Sequence, residues 1–195
     1  MTTSEDIVRS ALKQFYRYGF HASGVDLLAE QAGVTKKTLY RHYPGKDALI
    51  DAALALRHQQ FMEKIRTFVE AAPVALRPLA YIDFIVHWVQ EDDFYGCAFI
   101  NAAAEYAKAD EPPHQQAAAH KKEICDYLAG LCAAAGAKQP AAVAMSLYLI
   151  GEGLIVACQV QGHHALLLDA ARALALCAVA PGLRSTRTRS GQLKR

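Results

Sequence analysis

The chain has 195 residues, 53% of them hydrophobic, and a formal net charge of only +2. That length allows one large domain or a small domain joined to a medium one, with enough apolar material for a real core. Long Ala- and Leu-rich runs favour helix, and no alternating β-branched segment proposes a sheet, so the expected fold class is all-α.

The N-terminus shows no basic region followed by an apolar core and a small-residue cleavage site, so the cytoplasm is the expected compartment. Cys97, Cys125, Cys132, Cys158 and Cys177 form no C-x-x-C pair and no thiol–histidine pattern at metal spacing. They are expected to be reduced and mostly buried, with no metal site and no cofactor. The most apolar stretch, 145–160, is interrupted by Ser146, Glu152 and Gln159 and is short for a membrane span, so it reads as a buried helix. Charge is unevenly placed: residues 1–65 carry a net +2, residues 66–183 a net −5 and residues 184–195 a net +5. Basic ends around an acidic middle suit a protein whose N-terminal part meets a polyanion while the rest does something else.

In chain order, Thr2 with Glu5, or Thr3 with Asp6, can cap a first helix carrying Ile7, Val8, Ala11, Leu12 and Phe15 at helical spacing, with Gly19 as its stop. A second helix is expected from Ser23 or Gly24, with Val25, Leu28, Ala29 and Ala32 on one face and an end at Gly33. Thr35 then caps a short third helix from Lys36 to about Tyr43, which Pro44 ends. Ala29 keeps the second helix slim where the third crosses it, and Val34 and Leu39 pin the two together. Lys36, Lys37, Thr38, Tyr40, Arg41 and His42 are left outside. Eight helical residues make a rod about 12 Å long, comparable to a B-DNA major groove. Two lysines on a short helix are ordinarily a solvated face. The Gly turn, the capped helix, the aromatic-hydroxyl pattern and the cation Lys46 at the start of the next helix, all in register, point to a recognition helix.

The run from Ser23 to Leu49, SGVDLLAEQAGVTKKTLYRHYPGKDAL, resembles the DNA-binding domain of the TetR/AcrR family of bacterial transcriptional regulators in its AGV turn, its TLY helix and its K-D-A-L start to a fourth helix. The resemblance implies three N-terminal helices that read double-stranded DNA at a palindromic operator, and a larger helical domain that dimerises and binds an inducer. By motif position it implies base contacts from Lys36 and Lys37, and a base or backbone contact from Tyr40. Thr35, Thr38, His42, Tyr43 and Lys46 would contact phosphates. Gly24 stands where family members often place a second hydroxyl residue, which leaves Ser23 to serve any phosphate there. A phosphate shared between Lys46 and the helix N-terminus would offset the unfavourable cation at that end.

Asp47 opens a helix towards Pro73 that would connect reader to sensor. Between Pro78 and Glu91, Tyr81, Phe84, Ile85 and Trp88 form one apolar stripe, by default core. The segment GCAFINAAAEYA resembles a GC-x-F-x-N-A-x-x-E pattern of some family members. Its Phe99, Asn101, Glu105 and Tyr106 are candidate pocket residues facing Trp88, joined by Tyr148 and Ile155. Helices are expected at 114–135, from Pro140 to about Gly162, and at 165–179. The second of these is apolar nearly all round, and Gly151 and Gly153 would allow a close helix–helix approach, so the last two helices read as a homodimer interface. Cys97 beside Gly96 is a candidate exposed, reactive thiol, and His163-His164 lacks ligand-spaced partners.

These readings divide the chain into a DNA-binding domain at 1–46, a ligand-binding and dimerisation domain at 47–183, and a basic disordered tail at 184–195. The leading function is a DNA-binding regulator, a repressor released by a small apolar or aromatic inducer. Alternatives are a thiol-based redox regulator of the same fold and, for want of any nucleophile–base–acid constellation, less readily an all-α enzyme. No membrane partner is expected.

Overall fold

The computed structural model describes residues 3–180, so the tail expected at 184–195 lies outside the described residues. Within them the chain is helical, without strands. Helix α1 (Ser4–Tyr18) starts at a capping box in which Thr3 accepts from the Asp6 amide and Asp6 accepts from the Thr3 amide, the second of the two expected pairings. Gly19 ends it at φ 93°, where a side chain is disfavoured and where an added Cβ would come within 3.0 Å of Glu105 Oε1. Then follow α2 (Val25–Gln31), α3 (Lys36–His42) and α4 (Lys46–Glu70).

At 25 residues α4 is a rod of about 37 Å. Its first turns bury Leu49, Ile50, Ala53 and Leu54 beneath α1, whose Ile7, Val8, Ala11, Leu12 and Phe15 face them. Its later turns bury Phe61, Met62, Ile65 and Val69 under the rest of the molecule. One helix therefore belongs to both the N-terminal three-helix unit and the C-terminal bundle.

A single 3-10 turn at Val74–Leu76 leads into α5 (Arg77–Trp88), followed by α6 (Ala98–Glu105), α7 (Pro112–Ala134), α8 (Pro140–Gln161) and α9 (Ala165–Val179). Proline in the first turn of α5, α7 and α8 suits positions whose N–H has no helical partner. The stripe read from the sequence on α5 is core: Tyr81, Phe84, Ile85 and Trp88 are all buried.

Helix α8 is not covered on every side within the chain, because only 39% of its most apolar 18-residue window is buried. By length and composition alone α8 could cross a membrane. Its inner face packs Val143, Leu147, Leu154 and Ile155 against α5, α7 and α9, while Met145, Leu149, Val156 and Val160 are exposed. Leu166, Leu174 and Leu176 extend this outer apolar surface onto α9. Between the two helices a groove of 360 Å³ is lined by Leu149, Gly153, Leu154, Leu167, Ala171 and Leu174.

Candidate nucleic-acid interface and sensor core

Helix α3 stands on the scaffold expected of it. The Thr35 hydroxyl accepts from the Thr38 amide at 3.1 Å, the Val34 amide donates to Ala29 O at 3.0 Å, and Leu39 is fully buried. Burying a leucine stabilises by about 1.5–3 kcal/mol, so this one side chain fixes how α3 lies on α2. Outside remain Thr35, Lys36, Lys37, Tyr40, Arg41 and His42, with Thr38 half-buried against the Thr35 hydroxyl. Lys36 reaches back to Asp26 at 2.9 Å, and that hydrogen bond and charge hold its ammonium above the ordinary lysine range. Both partners are well exposed, so the pair contributes little and yields readily to another anion.

Two further candidates have internal partners. The Tyr43 hydroxyl lies 2.6 Å from Ser4 Oγ and ties the end of α3 to the start of α1. Lys46 donates to His21 O at 3.1 Å, while Gly45 leaves the first amides of α4 without a side-chain cap. Ser23 is a correction: it is fully buried and its hydroxyl donates to Gly19 O at 2.7 Å, so it closes the α1–α2 turn instead of facing a phosphate.

None of the cavities described among residues 3–180 brings the candidate pocket residues together. Glu105 reaches the α1–α2 turn, where it accepts from the amides of Phe20 (2.9 Å) and His21 (2.6 Å) and meets His21 Nδ1 at 3.0 Å. Tyr106 follows it, its ring 4.7 Å from that of His21. Asn101 donates to Tyr95 O and accepts from Gln159. Phe99 stacks at 3.7 Å on the buried His120. Burial first, then Lys121, His58 and Arg57, push this imidazole down to about 3, so it is neutral, and it bonds His58 Nδ1 at 2.9 Å. Ile155 is buried and Tyr148 half-buried on α8. Trp88 alone of the set lines a described cavity, between α4 and α5.

Glu105 was expected to orient a ligand and instead ties the end of α6 to the α1–α2 turn, across more than eighty residues of sequence. Although desolvation raises its carboxyl, the His21 and Phe20 amides together with the His21 side chain outweigh it and hold the group below its ordinary value. Because the folded value is depressed, the stability it contributes is present above the unfolded carboxylate range of about 4.3 and is lost as pH falls through the folded value. Glu105→Ala leaves the Phe20 and His21 amides without their acceptor, at a cost of about 1–3 kcal/mol. The expected result is a lower melting temperature and faster amide exchange at Phe20 and His21. Unchanged exchange there would contradict the assignment.

The thiols correct a further expectation. Cys97 is buried, not exposed, with its sulfur 3.5 Å from Lys121 Nζ, which also binds Glu152. Burial raises Cys132 to about 11 and pushes Cys125 and Cys158 up as well, so these remain protonated and unreactive at neutral pH. His164 has a structural role, capping α9 by accepting from the Leu167 amide. Among the described residues no cluster of three or more His, Cys, Asp or Glu could hold a metal ion.

Sequence reasoning missed Arg57. Its side chain makes no hydrogen bond or ion pair among the described residues, and its guanidinium lies over the rings of Tyr16 (4.7 Å) and Trp88 (5.8 Å). Tyr16 in turn donates to Gly96 O and accepts from the Tyr95 amide, so α1, α4, α5 and the loop before α6 meet at one point.

A short capped helix presented outside a two-helix scaffold, joined through a long shared helix to a separate helical bundle, defines a helix-turn-helix DNA-binding transcriptional regulator. Residues 7–53 match the family model of bacterial regulatory proteins, tetR family. The HTH-type transcriptional regulator YjdC of Escherichia coli is 28% identical over 153 residues, 77% of this chain and 80% of that protein. RutR of the same organism, also an HTH-type transcriptional regulator, is 36% identical over 70 residues, 35% of this chain and 33% of its own. The solved structure of SCO4454, a TetR-family transcriptional regulator from Streptomyces coelicolor, superposes with a TM-score of 0.84 at 27% identity, covering 92% of this chain and 95% of that one. Residues 7–53 thus carry the tetR-family DNA-binding module, and most of the rest of the chain is similar to regulators built on it.

Proposed function

We propose that the protein is a homodimeric repressor that leaves a palindromic operator when a small apolar or aromatic molecule enters its C-terminal domain. Residues 1–46 read the DNA, and residues 47–183 sense and dimerise. The observation that carries this reading is α3 itself: its buried side is spent on Leu39, and its outer side offers Lys36, Lys37, Tyr40 and Arg41 to a groove. In this reading Lys36 and Lys37 contact bases, and Tyr40 a base or the backbone. Thr35, Thr38, Arg41, His42, Tyr43 and Lys46 lie on phosphates. His21 O holds the Lys46 ammonium beside the uncapped start of α4, where the two can share one phosphate.

Dimerisation is supported by the exposed leucines, valines and methionine of α8 and α9, an apolar surface that a monomer would leave in water. One short recognition helix reads only a few base pairs. Two related by a twofold axis fit successive major grooves about 34–36 Å apart.

Sequencing DNA fragments selected by the purified protein tests the reading: a recurrent palindrome supports it, and no enriched sequence overturns it. On that palindrome, Lys36→Ala and Lys37→Ala are each expected to cost about 1–3 kcal/mol and to relax base preference. For Lys36 the loss is slightly offset, because the free protein no longer has to give up the Asp26 pair. Equal losses on specific and random DNA would assign both lysines to phosphates.

A further inference from the structure

Helices α4 and α5 hold between them a solvent-open slot of 380 Å³, lined by Lys64, Phe68, Phe84, His87, Trp88 and Glu91. Its wall residues Phe68, Phe84, His87 and Trp88, with the buried Phe61 behind them, form a run of edge-to-face and tilted rings. Phe68 lies 5.4 Å from His87 and 5.7 Å from Phe84, Phe84 lies 5.5 Å from Phe61, and Phe61 lies 5.1 Å from Trp88. This arrangement follows from spacing on both helices: Phe61 and Phe68 are seven apart on α4, and Phe84 and Trp88 four apart on α5.

From this geometry we infer that the slot binds an organic cation with a flat apolar body. The inference deepens the proposed sensing role and rests on it. Aromatic walls attract a cation through the negative faces of their rings, and Trp88 already serves one, Arg57, within the fold.

Charge decides between cation and anion. The single acid of the slot, Glu91, is paired with Lys64, and a charged ligand must take one of the two. A cation that takes Glu91 releases Lys64, whose side chain is 52% exposed and passes into water easily. An anion that takes Lys64 strands Glu91 next to exposed Asp92 and Asp93, where three consecutive carboxylates repel one another. The acidic run at the mouth of the slot therefore attracts cations and discourages anions. A ligand seated against Trp88 also presses on the residue that, with Tyr16 of α1, holds Arg57, so the slot adjoins the junction between sensor and reader.

Trp88 is the chain's one tryptophan, so its emission reports on the slot directly. The intact protein is titrated with phenyltrimethylammonium, with its uncharged isostere tert-butylbenzene, and with benzoate. The expected result is a saturable change in emission with the cation, at least tenfold weaker with the neutral isostere and absent with benzoate. Glu91→Gln is expected to weaken the cation at least tenfold, and Lys64→Met, which removes its competitor, to strengthen it. Equal binding of cation and isostere, preference for benzoate, or an unchanged affinity in Glu91→Gln overturns the inference. The same titration on operator-bound protein separates the two proposals: binding of the cation without release of DNA keeps the slot assignment and overturns the inducer role.

Discussion

A chain carrying Leu149→Glu and Leu174→Glu is expected to sediment as a monomer at micromolar concentration and to lose operator affinity by about 10²–10⁴-fold. Both leucines are exposed, at 62% and 58%, and both line the groove between α8 and α9. In the monomer the change touches no core residue, so helicity and melting of the monomer should shift little. Across a twofold interface the same change buries four carboxylates against apolar surface and places like charges together. The fold loss on DNA follows because the second recognition helix, once tethered by the dimer, must bind as a separate molecule. A dimer of undiminished affinity in sedimentation would place the interface elsewhere.

Gly151→Leu and Gly153→Leu are expected to part company. A Cβ at Gly151 comes within 2.7 Å of Tyr81 Oη and 3.0 Å of Tyr81 Cε1, and Tyr81 is buried on α5 with no room to move. Gly151 thus admits a residue of its own chain, which corrects the expectation that both glycines meet the partner. Overpacking there costs about 1–3 kcal/mol, against a gain of about 0.8–1 kcal/mol in helix propensity. At about 2–4 °C per kcal/mol for a chain of this size, a clear fall in melting temperature is predicted wherever overpacking exceeds the propensity gain. A Cβ at Gly153 meets nothing within 4 Å and the residue lines the α8–α9 groove. Gly153→Leu should therefore keep or raise the monomer's stability and change only dimer affinity. Equal destabilisation by both would contradict this placement.

Local signals were legible in the sequence. Thr35 with Thr38, Gly33 and Leu39 fixed α3 to within a residue, because caps, turns and a buried anchor act over one or two turns of chain. The bounds of α9 and the apolar stripe of α5 follow from the same short-range periodicity. What could not be read is which residues meet across the fold. Ser23 looks like a surface hydroxyl until Gly19 O accepts from it, and Glu105 looks like a pocket acid until the α1–α2 turn arrives. Gly151 and Gly153 are alike in sequence, and two residues' rotation on α8 sends one to Tyr81 and the other outward. Cys97 reads as a loop thiol but is buried beside Lys121, a residue on another helix. The slot had two visible signals, the seven-residue spacing of Phe61 and Phe68 and the four-residue spacing of Phe84 and Trp88, which gain meaning only once α4 and α5 are known to lie side by side.

The central claim is that two copies of α3 read one palindrome. The direct test is the affinity of the purified protein for the selected palindrome, for the same DNA with one half-site scrambled, and for random DNA, all at one salt concentration. The account predicts the palindrome bound at least about 10³-fold more tightly than random DNA, with the half-site far closer to random than to the palindrome. Equal affinity for the palindrome and the half-scrambled DNA would contradict it.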